Sequence, residues 1–450
     1  MDLSRSVSTR PSRFWHAPVS ALLLWASLWF NLNTGFWNIG IPSSPAEWSS
    51  MIRAVLPLVV LPVASFLLLN HRRHRLQWHD PSLLLMVYGL LASLAAVFSP
   101  VPVWSLYWSI TFVATIVAAW TFVDRADPLV AARQLLQVTW VATFIVAAII
   151  GYQARNSVFG STASGYGVYI ELDQLSRASG VARWAAVPGL VCLVRAYHTR
   201  RPIVIAFFVS AAALCFFIVY RMQSRGAIFG SVAALLFALL VSSRMRRYAL
   251  PFAAVAFVLI LILDSPETVS NHVVTYLQRG ESNEEFLTMT GRTRAYEHGI
   301  AAFQDAPILG RGQWTDRLVV GEHIHNSFLQ ALLNGGIAGG VPYFASWIAG
   351  WVLFYKLQKR SDRLRPDDRI HVLECGTVMM FFTVRAIPET TTASFAVDLL
   401  VMVAVYVYLE SLTSQLAVKR MQHVIQPYYL VPSWVTRSGM PVKIEARRRI

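Results

Sequence analysis

Hydrophobic residues in this chain come in long unbroken runs. They do not show the alternation of a half-buried strand or the single stripe of a soluble helix. The runs cover 17–32, 51–70, 81–98, 105–123, 135–152, 182–197, 203–220, 226–243, 248–264, 338–357, 370–387 and 395–413. A bilayer core is crossed by roughly 20 apolar residues. Lipid offers the backbone no hydrogen-bond partner, so each run predicts a helix. The expected fold is all-α, a polytopic bundle of about 12 transmembrane helices with one large external loop that contains short helices. Helices one to nine are expected in 1–264, the loop in 265–337, helices ten to twelve in 338–413, and a basic cytoplasmic tail in 414–450. No signal-peptide pattern flanks the first run, which reads as a retained helix.

Composition agrees. The 450 residues are 55% hydrophobic and 14% charged, where soluble proteins carry about 25% charged residues. Basic clusters at Arg72-Arg73-His74-Arg75, Arg200-Arg201, Arg244-Met245-Arg246-Arg247 and Lys359–Arg365 each follow an even-numbered run. Such clusters mark the cytoplasmic side and place both termini there. Orientation thus accounts for most of the +15 net charge, and no nucleic-acid partner is implied. Cys192, Cys215 and Cys375 fall inside separate runs with no paired spacing, which reads as small core residues rather than a metal site.

The chemistry gathers on the opposite side. All four lysines are predicted cytoplasmic, and the external segments carry only arginine. Guanidinium is a planar fork suited to phosphate or carboxylate. In "YRMQSRGAIFG" (220–230), Arg221 and Arg225 stand four apart, which puts them on one face if the turn is helical. In "TGRTRAYEHGIAAFQDAPILGRGQW" (290–314), Tyr296, Ile300 and Phe303 predict a short amphipathic helix over 294–304. Arg292 and Arg294 stand at its start, where helix N-termini attract anions. Arg311 lies in the glycine-rich turn that follows. In "HIHNSFLQALLNGGIAGG" (323–340), Asn326 or Ser327 caps a short helix ended by Gly335-Gly336. Gly339-Gly340-Val341-Pro342 then lets the chain bend into the next span. His325 precedes the cap, where the helix dipole and nearby arginines favour a neutral ring able to accept a proton.

In this order the three stretches resemble the O-antigen ligase and polysaccharide polymerase superfamily, bacterial membrane glycosyltransferases. The most specific element is His-Asn, nine residues, Gly, two residues, Gly: His325-Asn326, then Gly336 and Gly339. "SRGA" (224–227) and "GRTRAYEHGIAAFQDAPILGRG" are similar to two further elements of the family. The resemblance implies a multi-pass protein of the inner membrane with a periplasmic active site. It implies a glycan donor linked to undecaprenyl pyrophosphate and inverting transfer to an acceptor hydroxyl without metal or cofactor. By position it carries pyrophosphate binding to Arg225 and Arg292 and acceptor activation to His325. Arg221, Arg294, Arg311 and His323 follow by proximity, with Asn326, Gly336 and Gly339 as secondary positions.

Two alternatives stay open. A ligase delivers the glycan to lipid A-core, which is favoured, whereas a polymerase delivers it to another lipid-linked repeat unit, as in exopolysaccharide synthesis. A transporter or flippase would place ionisable groups near the midplane. Glu374, Asp398 and Glu410 are the candidates, and Arg385 could pair with one of them or extend the phosphate site.

Overall fold

A computed structural model describes residues 19–32, 48–71, 77–123, 127–153, 178–247, 266–278, 282 and 292–425. The expected span 248–264, most of segments 33–50 and 153–181, and the tail beyond 425 lie outside these residues.

Every regular element among the described residues is helical. In chain order they are α1 (Val19–Phe30), α2 (Trp48–His71), α3 (Pro81–Ala95), α4 (Pro102–Val123), α5 (Pro128–Gln153), α6 (Ala178–His198), α7 (Pro202–Arg221), α8 (Arg225–Val241), α9 (Pro266–Gln278), α10 (Arg292–Gln304), α11 (Ser327–Gln358), α12 (Pro366–Arg385) and α13 (Val397–Ile425). Proline stands in the first turn of α3, α7 and α12. Its missing N–H costs nothing there and its fixed φ suits the helix.

The chain is a multi-pass membrane protein, and the expected twelve spans are only partly covered by the described residues. Among the described residues six helices are long and apolar enough to cross a bilayer: Pro81–Phe98, Pro102–Val123, Pro128–Tyr152, Pro202–Arg221, Ser327–Gln358 and Val397–Val418. Val19–Phe30, Ala54–Asn70 and Arg225–Val241 are apolar but shorter. Helices α6 and α12 form where expected, yet carry Arg183, Arg195, Glu374 and Arg385 in ion pairs inside the bundle. A run of residues counts as apolar only if its charges are few, and these helices neutralise theirs by pairing.

Helix α13 is the axis. It is buried on every face from Val397 to Leu412 and packs on α3, α4, α5, α11 and α12. By contrast α7 leaves Ile203, Phe207, Leu214 and Phe217 exposed, as a lipid-facing helix does.

Two local features shape the end of the bundle where the candidate residues gather. First, α11 breaks at Gly336, whose φ of 60° and ψ of −160° are open to glycine. The turn after α10 bonds to four backbone groups beside the break. The N–H groups of Arg311 and Gly312 donate to the carbonyls of Leu333 and Asn334, at 3.0 and 2.8 Å. Those of Ile337 and Ala338 donate to Pro307 and Ile308, at 2.8 and 3.0 Å. A Cβ on Gly310, φ 68°, would stand 2.5 Å from the Gly336 nitrogen, so two glycines meet backbone to backbone. The expected bend at 339–342 does not occur: helix continues through Pro342, and the one non-helical residue is Gly336.

Second, α8 lies close on α12. A Cβ at Gly230 would stand 2.9 Å from the Phe381 ring, and one at Gly226 would stand 3.5 Å from Cγ of Glu389. Small residues permit such approach between membrane helices. The start of α8 is thereby set against the loop that follows α12.

Candidate functional site

The site is built where α8, α10 and α11 begin and α12 ends. Asn326 caps α11: its Oδ1 accepts from the N–H groups of Phe328 and Leu329, at 3.0 and 2.9 Å. Its Nδ2 donates to the carbonyl of Ile387 at 3.1 Å, tying the cap to the loop after α12. Ser327 N–H donates to Ala386 O at 2.9 Å, and the Ser327 hydroxyl accepts from Thr391 N–H at 2.6 Å. Farther in, Asn334 Nδ2 donates to Tyr88, Gln313 and the Ala393 carbonyl, anchoring the same loop to α3 and to the glycine turn. Loop 386–393 is therefore held along its length against α11.

That loop delivers Glu389. Its Oε2 lies 3.1 Å from Nδ1 of His325, and its Oε1 accepts from Arg292 Nη2 at 2.9 Å. A second Arg292 nitrogen, Nη1, donates to the Pro388 carbonyl. Burial works to raise the Glu389 carboxyl. The bond to His325 and the charges of Arg385 and Arg292 outweigh it and hold the group far below the usual carboxylate range. An ionised carboxylate is acceptor-only, so His325 donates from Nδ1 and its Nε2 carries the free lone pair.

His325 itself sits at φ 51°, uncommon for a residue with a Cβ. The Tyr296 hydroxyl lies 3.2 Å from its carbonyl. Burial lowers the His325 pKa and prevails over Glu389, which favours the proton; the charges of His323 and Arg292 push it down further. A neutral ring was expected, but from the helix dipole and arginines. Burial is the larger cause. The His323 ring stands 4.5 Å from that of His325, with its own Nδ1 2.6 Å from Asp316.

The remaining expected residues divide. Arg225 opens α8, and its neighbour Gly226 touches the Glu389 loop, so Arg225 joins the cluster's surroundings. Arg221 closes α7, and a three-residue break with Gln223 at φ 47° separates the two arginines. They do not share a helical face, because the helix is interrupted between them. Arg294 is exposed; two residues beyond Arg292, it lies roughly 200° around α10. Arg311 pairs with Asp305 at 3.7 Å, and its backbone serves the α11 break. Gly336 makes that break, and Gly339 leaves room for Tyr88.

Sequence reasoning missed Glu389 and Asp316. For Glu389 a faint signal existed: a lone carboxylate in a short loop between apolar runs. Arg385 does pair with one of the intramembrane carboxylates proposed for it. Asp398 Oδ2 accepts from Arg385 and Arg183, both at 3.1 Å.

Residues 210–344 match the family model described as O-antigen ligase. The window holds Arg221, Arg225, Arg292, His323 and His325 but ends before Glu389. No curated protein matches the chain.

Proposed function

We propose that this chain, which over residues 210–344 belongs to the O-antigen ligase superfamily of membrane glycosyltransferases, transfers a glycan from a polyprenyl pyrophosphate to an acceptor hydroxyl. One observation carries the reading. An imidazole fixed by an ionised carboxylate shares that carboxylate with an arginine, and a second arginine begins the adjoining helix.

The donor is undecaprenyl-pyrophosphate-linked glycan, presented on the periplasmic face of the inner membrane. His325 Nε2 takes the proton of the acceptor hydroxyl as its oxygen attacks the anomeric carbon. The bond from that carbon to the phosphate oxygen breaks, and pyrophosphate leaves with the electron pair. Attack opposite the leaving group inverts the configuration. Glu389 holds the His325 ring in the tautomer the step requires. Arginine has five N–H donors; two on Arg292 serve Pro388 and Glu389, and the proposal assigns the others to phosphate oxygens. Arg225 supplies further charge from the start of α8. Charge-assisted hydrogen bonds contribute roughly 1.5–3 kcal/mol each to a departing dianion.

Lipid A-core is the favoured acceptor, which makes the chain a ligase of lipopolysaccharide. The polymerase reading shares the donor site and differs only in the acceptor. Glu374, raised earlier for a transporter, supports no such route: it is enclosed by Arg195, His371 and Trp140. The test is reconstitution with a lipid-pyrophosphate glycan and two acceptors offered separately, lipid A-core and a second lipid-linked unit. Product on lipid A-core supports the ligase. Lengthened lipid-linked chains support the polymerase. No transfer to either removes the proposal.

A further inference from the structure

His323 and Asp316 form a second imidazole–carboxylate pair beside the first. Asp316 opens a five-residue π-helical turn, Asp316–Val320, that ends at Gly321, and is 3% exposed. Its Oδ2 lies 2.6 Å from His323 Nδ1. Burial works to raise the Asp316 carboxyl, but the His323 bond and charge prevail and hold it below its ordinary range. An ionised Asp316 is acceptor-only, so His323 donates from Nδ1 and its Nε2 is the nitrogen left without that bond. The two imidazoles meet at 70° with centroids 4.5 Å apart. Two like charges at that separation disfavour each other strongly in a partly buried site.

The charged and titratable groups around His325 come from every neighbouring element. Glu389 comes from the loop after α12 and Arg292 and Tyr296 from α10; Asp316, on the π-helical turn, faces His323 and Arg317 rather than His325. His323 is on the same segment as His325. Of the groups acting on the His325 proton, Glu389 attracts it, whereas His323 and Arg292 repel it.

We infer that His323, anchored by Asp316, is a positioning residue for the transfer: its charge keeps the adjoining His325 ring neutral and thereby competent as a base. This rests on the reading of His325 as the base. The carboxylates act in opposition. Glu389 orients His325 but draws a proton to it; Asp316 stabilises charge on His323 and so drives that proton away.

The test reads His325 directly. Diethyl pyrocarbonate acylates only the neutral imidazole. Its rate at His325, localised by tandem mass spectrometry on the full chain in detergent, is followed across the histidine titration range. In His323→Gln the His325 midpoint is expected to rise by about one pH unit, a tenfold change in its proton affinity. Asp316→Asn moves it in the same direction. His323→Lys, which restores a positive charge, keeps it low. Glu389→Gln moves it the opposite way, which a general loosening of the site would not do. An unchanged midpoint in His323→Gln overturns the inference, as does His323→Lys behaving like His323→Gln. Transfer by His323→Gln should fall about tenfold on the acid side and little at alkaline pH. If the midpoints move as stated while His325→Ala still transfers glycan, the coupling stands and the base reading fails.

Discussion

Two histidines in this protein make nearly the same bond and stand in different circumstances. His371 Nδ1 is 3.0 Å from Glu374, and His325 Nδ1 is 3.1 Å from Glu389. His371 lies inside α12, three residues before its carboxylate, on regular helix. Glu374 also receives Arg195 at 2.7 Å and Trp140 at 3.0 Å. The neighbouring Asp368 takes a two-pronged contact from Arg133, with the Tyr408 hydroxyl adding a third bond. That end of α12 is a closed set of charges that holds α5, α6, α12 and α13 together. His325 instead stands at a helix start in a left-handed conformation, and its carboxylate is 64 residues away in sequence. Its side chain is 22% exposed against 9% for His371, enough to meet a substrate. An imidazole–carboxylate pair is therefore not a site in itself. On the reading proposed above it becomes one where the ring is reachable and an arginine shares its carboxylate.

The sharpest way to break this comparison is to remove each ring. His325→Ala should lower turnover in reconstituted vesicles by roughly 10²–10⁴-fold with the protein still inserted. His371→Ala should leave transfer within a few-fold of the parent while lowering the thermal midpoint in detergent. Equal losses of turnover would erase the distinction. Next in size is Arg292→Ala, expected to cost roughly 10–100-fold in kcat/KM, as for one charge-assisted hydrogen bond. Arg292→Lys should recover little of it if fork geometry matters, whereas Arg294→Ala, exposed on the other side of α10, should stay near the parent.

The glycines offer a structural counterpart. Gly336→Ala adds a Cβ against the Ile308 carbonyl at a left-handed φ, and should destabilise the fold by about 1–3 kcal/mol or more. Gly339→Ala meets Tyr88 at 3.4 Å and should have a much smaller effect, read by thermal unfolding in detergent. Smallest is a pH effect. Because His325 is lowered from its ordinary value, its neutral form persists as pH falls through the usual histidine range near 6.5. Transfer should hold its plateau there and decline only at lower pH. An acid limb at or above the ordinary value would count against the burial argument.

Much of this was legible along the chain. A cap at Asn326 or Ser327, a glycine break at 335–336 and a helix over 294–304 all follow from rules that act within one or two turns; the structure selects Asn326 and Gly336 and starts the helix at Arg292. The apolar runs located the helices for the same reason. What was illegible depends on which helices touch. Arg221 and Arg225 would share a face only if the turn between them were helical, and it is not. Nor does the sequence show that the backbone N–H of Arg311, a residue read for its cation, satisfies a carbonyl at the α11 break.

By itself the sequence determined a helical membrane protein, the positions of its helices, the glycine break, and a histidine flanked by arginines, because periodicity, capping and lipid solvation act locally. Only the tertiary structure decided that Glu389 joins His325 to Arg292, and that Asp316 sits behind His323. Those partners meet because small residues let α8 settle on α12 and because the Asn326 cap binds the loop after α12. Contacts between helices distant in sequence leave no periodic trace in either one.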